Sequence, residues 1–179
     1  MKKPTRVNHP KPVKLLAGND PVVAPVHRAV KFTYPTIAES LTAEAKEHGF
    51  DYTRDSNPTT RQLELTLAQL QDRDDCLATA SGVNAIAQTL IGLTKQGDHI
   101  LCFVETYGPT RNIIRRLLAR FGVEHTMLSI EDMAGIENVL ATRPTRLVIF
   151  ESPTNPITKV ADIERLVELA HRHGALAVM

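Results

Sequence analysis

The stretch that decides the fold runs from residue 100 to residue 128 and reads ILCFVETYGPTRNIIRRLLARFGVEHTML. It opens on an unbroken apolar run at 100–104 and turns at Gly108-Pro109. Ile113, Leu117 and Phe121 then recur at helical spacing, with Leu118 widening the stripe. Gly122 supplies a helix stop, and a second apolar run follows at 123–128. Two strand-like runs, the first unbroken and apolar, joined by an amphipathic helix, predict a strand–helix–strand unit whose strands are parallel and covered on both faces.

The pattern repeats outward in both directions. Further strand-like runs stand at 76–80, 147–150 and 175–179, so that neighbouring runs are about 23–29 residues apart. Between them lie helical stripes: Leu63, Leu67 and Leu70; Ile86, Leu90 and Leu93; Ile136 and Leu140; Ile163, Leu166, Val167 and Ala170. Gly174 stands at a second helix stop. The expectation for residues 59–179 is an α/β fold with a parallel sheet, right-handed crossovers and helices on both faces, three layers in all. Residues 1–58 differ, holding Pro4, Pro10, Pro12, Pro21, Pro25, Pro35 and Pro58. Proline fixes φ and removes a donor, so this segment reads as an extended arm, with one short helix at 37–48 ending at Gly49.

Composition excludes several function classes. The 179 residues carry 21 Lys and Arg against 20 Asp and Glu, a formal net charge of +1, with few aromatics and no Trp. A nucleic-acid binder needs a basic excess and stacking rings, so none is expected. Cys76 and Cys102 make neither a disulfide framework nor a zinc site. The seven histidines show no metal-ligand spacing and read as structural or surface residues. No apolar run is long enough to span a bilayer, and no apolar stretch follows the basic start as a secretory signal requires. The expectation is a cytoplasmic protein without a membrane partner.

Four short motifs carry the chemistry. Tyr52-Thr53-Arg54-Asp55-Ser56-Asn57-Pro58-Thr59 holds a helix start, with Asn57 as N-cap and Pro58 in first position, which leaves Tyr52 and Arg54 without a structural reason. Ala80-Ser81-Gly82-Val83 joins small residues to a helix start, where unpaired N–H groups and the positive dipole end favour an anion. Glu105-Thr106-Tyr107-Gly108-Pro109-Thr110 follows a strand end and offers an aromatic ring for a flat ligand. Glu151-Ser152-Pro153-Thr154-Asn155-Pro156 follows another, stiffened by two prolines. Taken singly, each is equally a turn, a cap or a packing tyrosine. Neither G-x-G-x-x-G nor G-x-x-x-x-G-K-[ST] occurs, so a nucleotide-binding reading lacks its fingerprints.

In this order the four motifs resemble the Cys/Met-metabolism family of pyridoxal-phosphate enzymes, which holds cystathionine γ-synthase, cystathionine β- and γ-lyases, methionine γ-lyase and homoserine sulfhydrylases. The resemblance covers about residues 20–179. It implies the N-terminal part of a large domain of the aspartate-aminotransferase type, preceded by an arm, and pyridoxal 5'-phosphate as cofactor. Ser81 and the backbone N–H groups of Gly82 and Val83 are then expected at the phosphate, Tyr107 stacked on the pyridine ring, and Asn155 near the ring hydroxyl. Val83 stands where the family usually has Met, a change of small effect if the contact is through backbone. Tyr52 and Arg54 are expected at the phosphate of a neighbouring subunit, in a homodimer or homotetramer. The implied activity is carbon–sulfur elimination or γ-replacement on a small amino-acid substrate, a sulfur amino acid or activated homoserine.

The resemblance also calls for an Asp at the pyridine nitrogen, expected directly after Met179, and a Schiff-base Lys further on. No lysine of this chain stands in such a context, and Lys95 and Lys159 read as solvated helix-end and loop charges. The 179 residues alone are therefore expected to be inactive, and the alternative is a non-catalytic truncated product.

Overall fold

The computed structural model describes residues 21–42 and 49–179. Residues 43–48 of the expected short helix, and residues 1–20 of the arm, lie outside the described residues. The chain forms two compact units, one up to Ala78 and one from Thr79 to Met179.

In the first unit, residues 21–36 form no helix and no strand beyond a single bridge at Lys31, and lead to α1 (Ile37–Ser40), capped by Thr36. An isolated antiparallel bridge joins Lys31 to Tyr52. It is braced by Phe32 N–H to the Asp51 carbonyl and Thr53 N–H to the Val30 carbonyl, each 2.9 Å, and by the paired rings of Phe32 and Phe50. Helix α2 (Pro58–Leu70) starts as its sequence requires: Asn57 is extended, its side chain accepts from Thr59 N–H, and Pro58 opens the first turn. The Asn57 amide also donates to the His27 carbonyl and the Thr53 hydroxyl, which explains a buried asparagine. The expected apolar face of α2 is not the buried one. Leu63, Leu67 and Leu70 are exposed, while Glu64 and Ala68 are buried.

The strand expected at 76–80 does not form. The Ala78 N–H donates to the Glu64 carboxylate at 2.9 Å, and the Cys76 N–H to Asp75. Side chains thus take backbone donors that a strand would give to its neighbour.

The second unit is a parallel four-stranded sheet. Its strands are β1 (His99–Phe103), β2 (Glu124–Leu128), β3 (Leu147–Ile149) and β4 (Leu176–Val178), in the order β2-β1-β3-β4. The remaining four expected strands therefore stand, all parallel. Alternation along the strands sorts the core into two layers. Ile100, Cys102, Leu147 and Ile149 pack with Leu90 of α3 (Gly82–Leu93) and with Ile114 and Leu118. Leu101, Phe103, Val148 and Phe150 pack with Ile136 and Leu140 of α5 (Met133–Thr142), and with Leu166, Leu169 and Ala170 of α6 (Ile163–Arg172). The sheet thus lies between two helical layers.

The crossover from β1 to β2 is irregular. It runs as α4 (Gly108–Asn112), a π turn at Ile113–Leu117 and a 3₁₀ turn at Leu118–Phe121, ending at Gly122 with φ 74°. Leu118 is buried as expected, together with Thr110 and Ile114, whereas Ile113 is only partly buried and Leu117 and Phe121 are exposed, so the centre of the expected stripe is displaced by one position. A π turn is wider than an α turn and moves the side chains around the axis. No helix among the described residues is long and apolar enough to cross a membrane.

Candidate active site

Strand order β2-β1-β3-β4 places a reversal of connection between β1 and β3. From β1 the chain crosses to β2 on one side, and from β3 it crosses to β4 on the other. The crevice beyond the carboxyl ends of two such strands is where open α/β sheets bind ligands. Two of the quoted motifs leave the sheet there, residues 105–110 after β1 and residues 151–156 after β3. They are tied to each other, since the backbone N–H of Tyr107 donates to the Glu151 carboxylate.

A cavity of about 290 Å³ opens at this point, lined by Ile86 and Thr89 of α3, Thr106 and Thr110, Glu151 and Val178 among others. Its lining is mostly apolar with a few polar groups, the usual make-up of a small-molecule site. The Thr106 hydroxyl, in a residue only 4% exposed, has no hydrogen-bond partner. An unpaired buried hydroxyl facing a cavity is a place for a ligand acceptor or donor.

Helix α3 contributes its N-terminus. Ser81 is extended and its hydroxyl accepts from Asn84 N–H at 3.2 Å. The first N–H groups, those of Gly82 and Val83, have no acceptor within the helix. A Cβ built at Gly82 would meet nothing within 4 Å, so the backbone at the first helical position is open to approach. An oxyanion fits there on chemistry and on room, and the residues present thus suit a phosphorylated, flat cofactor. Tyr107 and Asn155 are both exposed at the same edge of the sheet. Tyr52 and Arg54 belong to the first unit. There the guanidinium lies 5.0 Å from the Tyr52 ring centre and 3.4 Å from Asp55, with the Arg54 side chain 78% exposed.

Sequence reading missed one cluster. Glu105, two residues past β1, is buried. It accepts from the Ser129 hydroxyl at 2.8 Å, from the Ile130 N–H at 3.1 Å and from the Lys159 ammonium at 3.1 Å. Lys159 also donates to Glu131. Lys159 is therefore not the solvated loop charge its sequence suggests. Burial pushes the Glu105 carboxyl up, but the bonds from Ser129, Ile130 and Lys159 outweigh it and hold the group below the ordinary carboxylate range. Glu131 first, and Glu105 second, raise the Lys159 ammonium above its usual value. Thr154 fixes the lysine's backbone from both sides. Its N–H donates to the Lys159 carbonyl and its hydroxyl accepts from the Lys159 N–H, at 2.9 and 3.0 Å. Glu105 opens one of the quoted motifs and Lys159 stands three residues past an Asn-Pro turn, but nothing in the sequence ties the two together.

The family model for "Cys/Met metabolism PLP-dependent enzyme" matches residues 13–179. An L-methionine gamma-lyase of Pseudomonas putida is 36% identical over 159 residues, which is 88% of this chain and 40% of that protein. A human cystathionine gamma-lyase is 36% identical over 149 residues, 81% of this chain and 36% of its own. Among solved structures, a Campylobacter jejuni protein assigned as an O-acetylhomoserine (thiol)-lyase, containing N'-pyridoxyl-lysine-5'-monophosphate, superposes with a TM-score of 0.76 at 28% identity. That match covers 86% of this chain and 38% of that one. The chain thus spans about 40% of the length of the relatives it matches.

Proposed function

Because the chain belongs to the Cys/Met-metabolism family of pyridoxal-phosphate-dependent enzymes, we propose that the protein acts in transsulfuration-type chemistry. Its substrates are sulfur amino acids or activated homoserine, and its reaction is carbon–sulfur elimination or γ-replacement. When bound, pyridoxal phosphate supplies an electron sink that stabilises negative charge at the substrate Cα, so that a β- or γ-substituent can leave.

This chain's residues bind and orient. The N–H groups of Gly82 and Val83 hold the phosphate at the positive end of α3, with Ser81 closing the turn. The Tyr107 ring would stack on the pyridine, and its phenol would take or give a proton beside the substrate. The Asn155 amide donates to the ring hydroxyl. Arg54, with Tyr52 beside it, gives charge-assisted hydrogen bonds to the phosphate held by a second subunit, which makes the site a property of a homodimer or homotetramer. The observation that carries this reading is the joining of the Tyr107 and Asn155 loops, through Tyr107 N–H and Glu151, beside the cavity at the reversal of strand connection.

Val83→Pro tests it. The first turn of a helix tolerates proline, so the substitution removes one N–H with little cost to the helix. A hydrogen bond to a charged group contributes about 1.5–3 kcal/mol. Titration of the purified protein with pyridoxal phosphate should therefore show binding weakened roughly ten- to a hundredfold. An unchanged dissociation constant would remove the phosphate from this helix.

A further inference from the structure

We propose that Lys159 is a positioning residue, which through Glu105 and Glu131 locks the loops after β1, β2 and β3 into one frame and so sets Tyr107 and Asn155 relative to each other. The proposal rests on the cofactor reading above but concerns residues that touch neither the cavity nor the cofactor groups.

Three loops converge on one ammonium. Glu105 stands two residues before Tyr107, Glu131 follows β2, and Lys159 stands four residues after Asn155. The Glu105 side chain is 5% exposed and that of Lys159 is 32% exposed. Ion pairs as buried as this contribute little net stability, because desolvation offsets the attraction; apolar packing would hold three loops together as well. Glu131, with its side chain 69% exposed, is the outer partner, and the buried end of the cluster is Glu105. What that buried carboxylate supplies is a defined geometry, since each of its oxygens has its own donors: Ser129 and Lys159 on Oε1, and the Ile130 N–H on Oε2. The lysine end is equally fixed. Thr154 grips its backbone, and Ala161 N–H donates to the Ser152 hydroxyl at 3.1 Å, so residues 152–161 form one closed loop. The loop that carries Asn155 is thereby coupled to the loop that carries Tyr107 at two points, through Lys159 to Glu105 and through Glu151 to the Tyr107 N–H.

The test compares K159M, K159R and wild type in the full-length protein, with two readouts. One is pyridoxal-phosphate affinity by absorbance titration. The other is hydrogen exchange of the Tyr107 and Ile130 amides in cofactor-free protein. For K159M we expect roughly tenfold weaker cofactor binding, the size of one lost charged hydrogen bond, and faster exchange at both amides. K159R should restore both readouts to within about threefold of wild type, because the guanidinium still spans the two carboxylates. Should K159M fail to fold, E105D is read in the same way, since it keeps the charge but withdraws it by one methylene. Lowered thermal stability with unchanged cofactor affinity and unchanged Tyr107 exchange would overturn the proposal and leave Lys159 a stabilising charge. Wild-type protein that binds no pyridoxal phosphate, yet shows the exchange difference, would instead overturn the cofactor reading alone.

Discussion

His99 and Glu105 sit at opposite ends of β1 and meet burial in opposite ways. His99 stays neutral: burial, and then the positive charge of Arg143, push its pKa down from 6.5 to about 4, while Thr145 and Thr126 each bond one ring nitrogen at 2.9 Å. The unfolded chain takes up this proton near pH 6.5 and the folded chain only near 4. Stability from this residue is therefore full above pH 6.5 and is lost as pH falls through that window, on the order of 3 kcal/mol. Replacing His99 by Gln should flatten the urea-unfolding free energy between pH 6.5 and 4; a slope equal to wild type would show that the histidine is not the group responsible. Glu105 stays charged, and its contribution disappears only as pH falls below the ordinary carboxylate range. Arg54 is a third case. With its side chain 78% exposed, it does little for the fold. Arg54→Ala should leave thermal stability within about 0.5 kcal/mol of wild type yet weaken pyridoxal-phosphate binding roughly ten- to a hundredfold. An unchanged cofactor titration would refute its assignment to the phosphate.

Among the elements, the two stop glycines separate steric from conformational cost. Gly122 has φ 74° and Gly174 has φ 73°, a region that costs a residue with a Cβ about 1–2 kcal/mol. A Cβ on Gly122 would also lie 2.8 Å from Cγ of Gln96, whereas one on Gly174 would meet nothing within 4 Å. Gly122→Ala should thus be the more destabilising of the pair in urea titrations, and equal losses would mean that Gln96 moves aside freely. Both glycines were legible in the sequence because a left-handed stop is a local requirement. The stripe of α5 was legible too, since regular helices keep the 3.6-residue period, and Ile136 and Leu140 are buried as expected; in α6 Leu166 and Ala170 are buried as expected, but Ile163 is exposed, Val167 is half-buried and Leu169 joins the core. Periodicity failed in part where the helix was not regular, at the π turn: Leu118 is buried as expected, but Ile114 joins it in the core while Ile113 is only partly buried and Leu117 and Phe121 are exposed. It failed again in α2, where Glu64 is buried because Arg61 and the Ala78 N–H satisfy its carboxylate. An apolar pattern cannot register a buried charge whose partner lies 14 residues away.

For the whole molecule, the three-layer sheet followed from the spacing of its strands, and the motifs led to the start of α3 and to the loops of Tyr107 and Asn155, both of which leave the sheet at the reversal of strand connection. The Lys159 cluster did not, because its partners are 54 and 28 residues distant and a single lysine has no pattern. The lysines also bear on the chemistry. Among the described residues, Lys31 is paired with Asp51, Lys159 with two glutamates, and no lysine lines the cavity. Borohydride treatment of the isolated 179-residue chain with pyridoxal phosphate should therefore mark no single lysine above the others by peptide mass mapping. Selective labelling at one site, with turnover of cystathionine, would assign the catalytic lysine within these residues. The shared ammonium has a bearing on heredity as well. Loops that meet on one charge cannot drift separately in length or composition without stranding a partner, so they are expected to be inherited as a set. Chimeras that import one of the three loops from a distant relative should lose cofactor, while chimeras that import all three together should keep it.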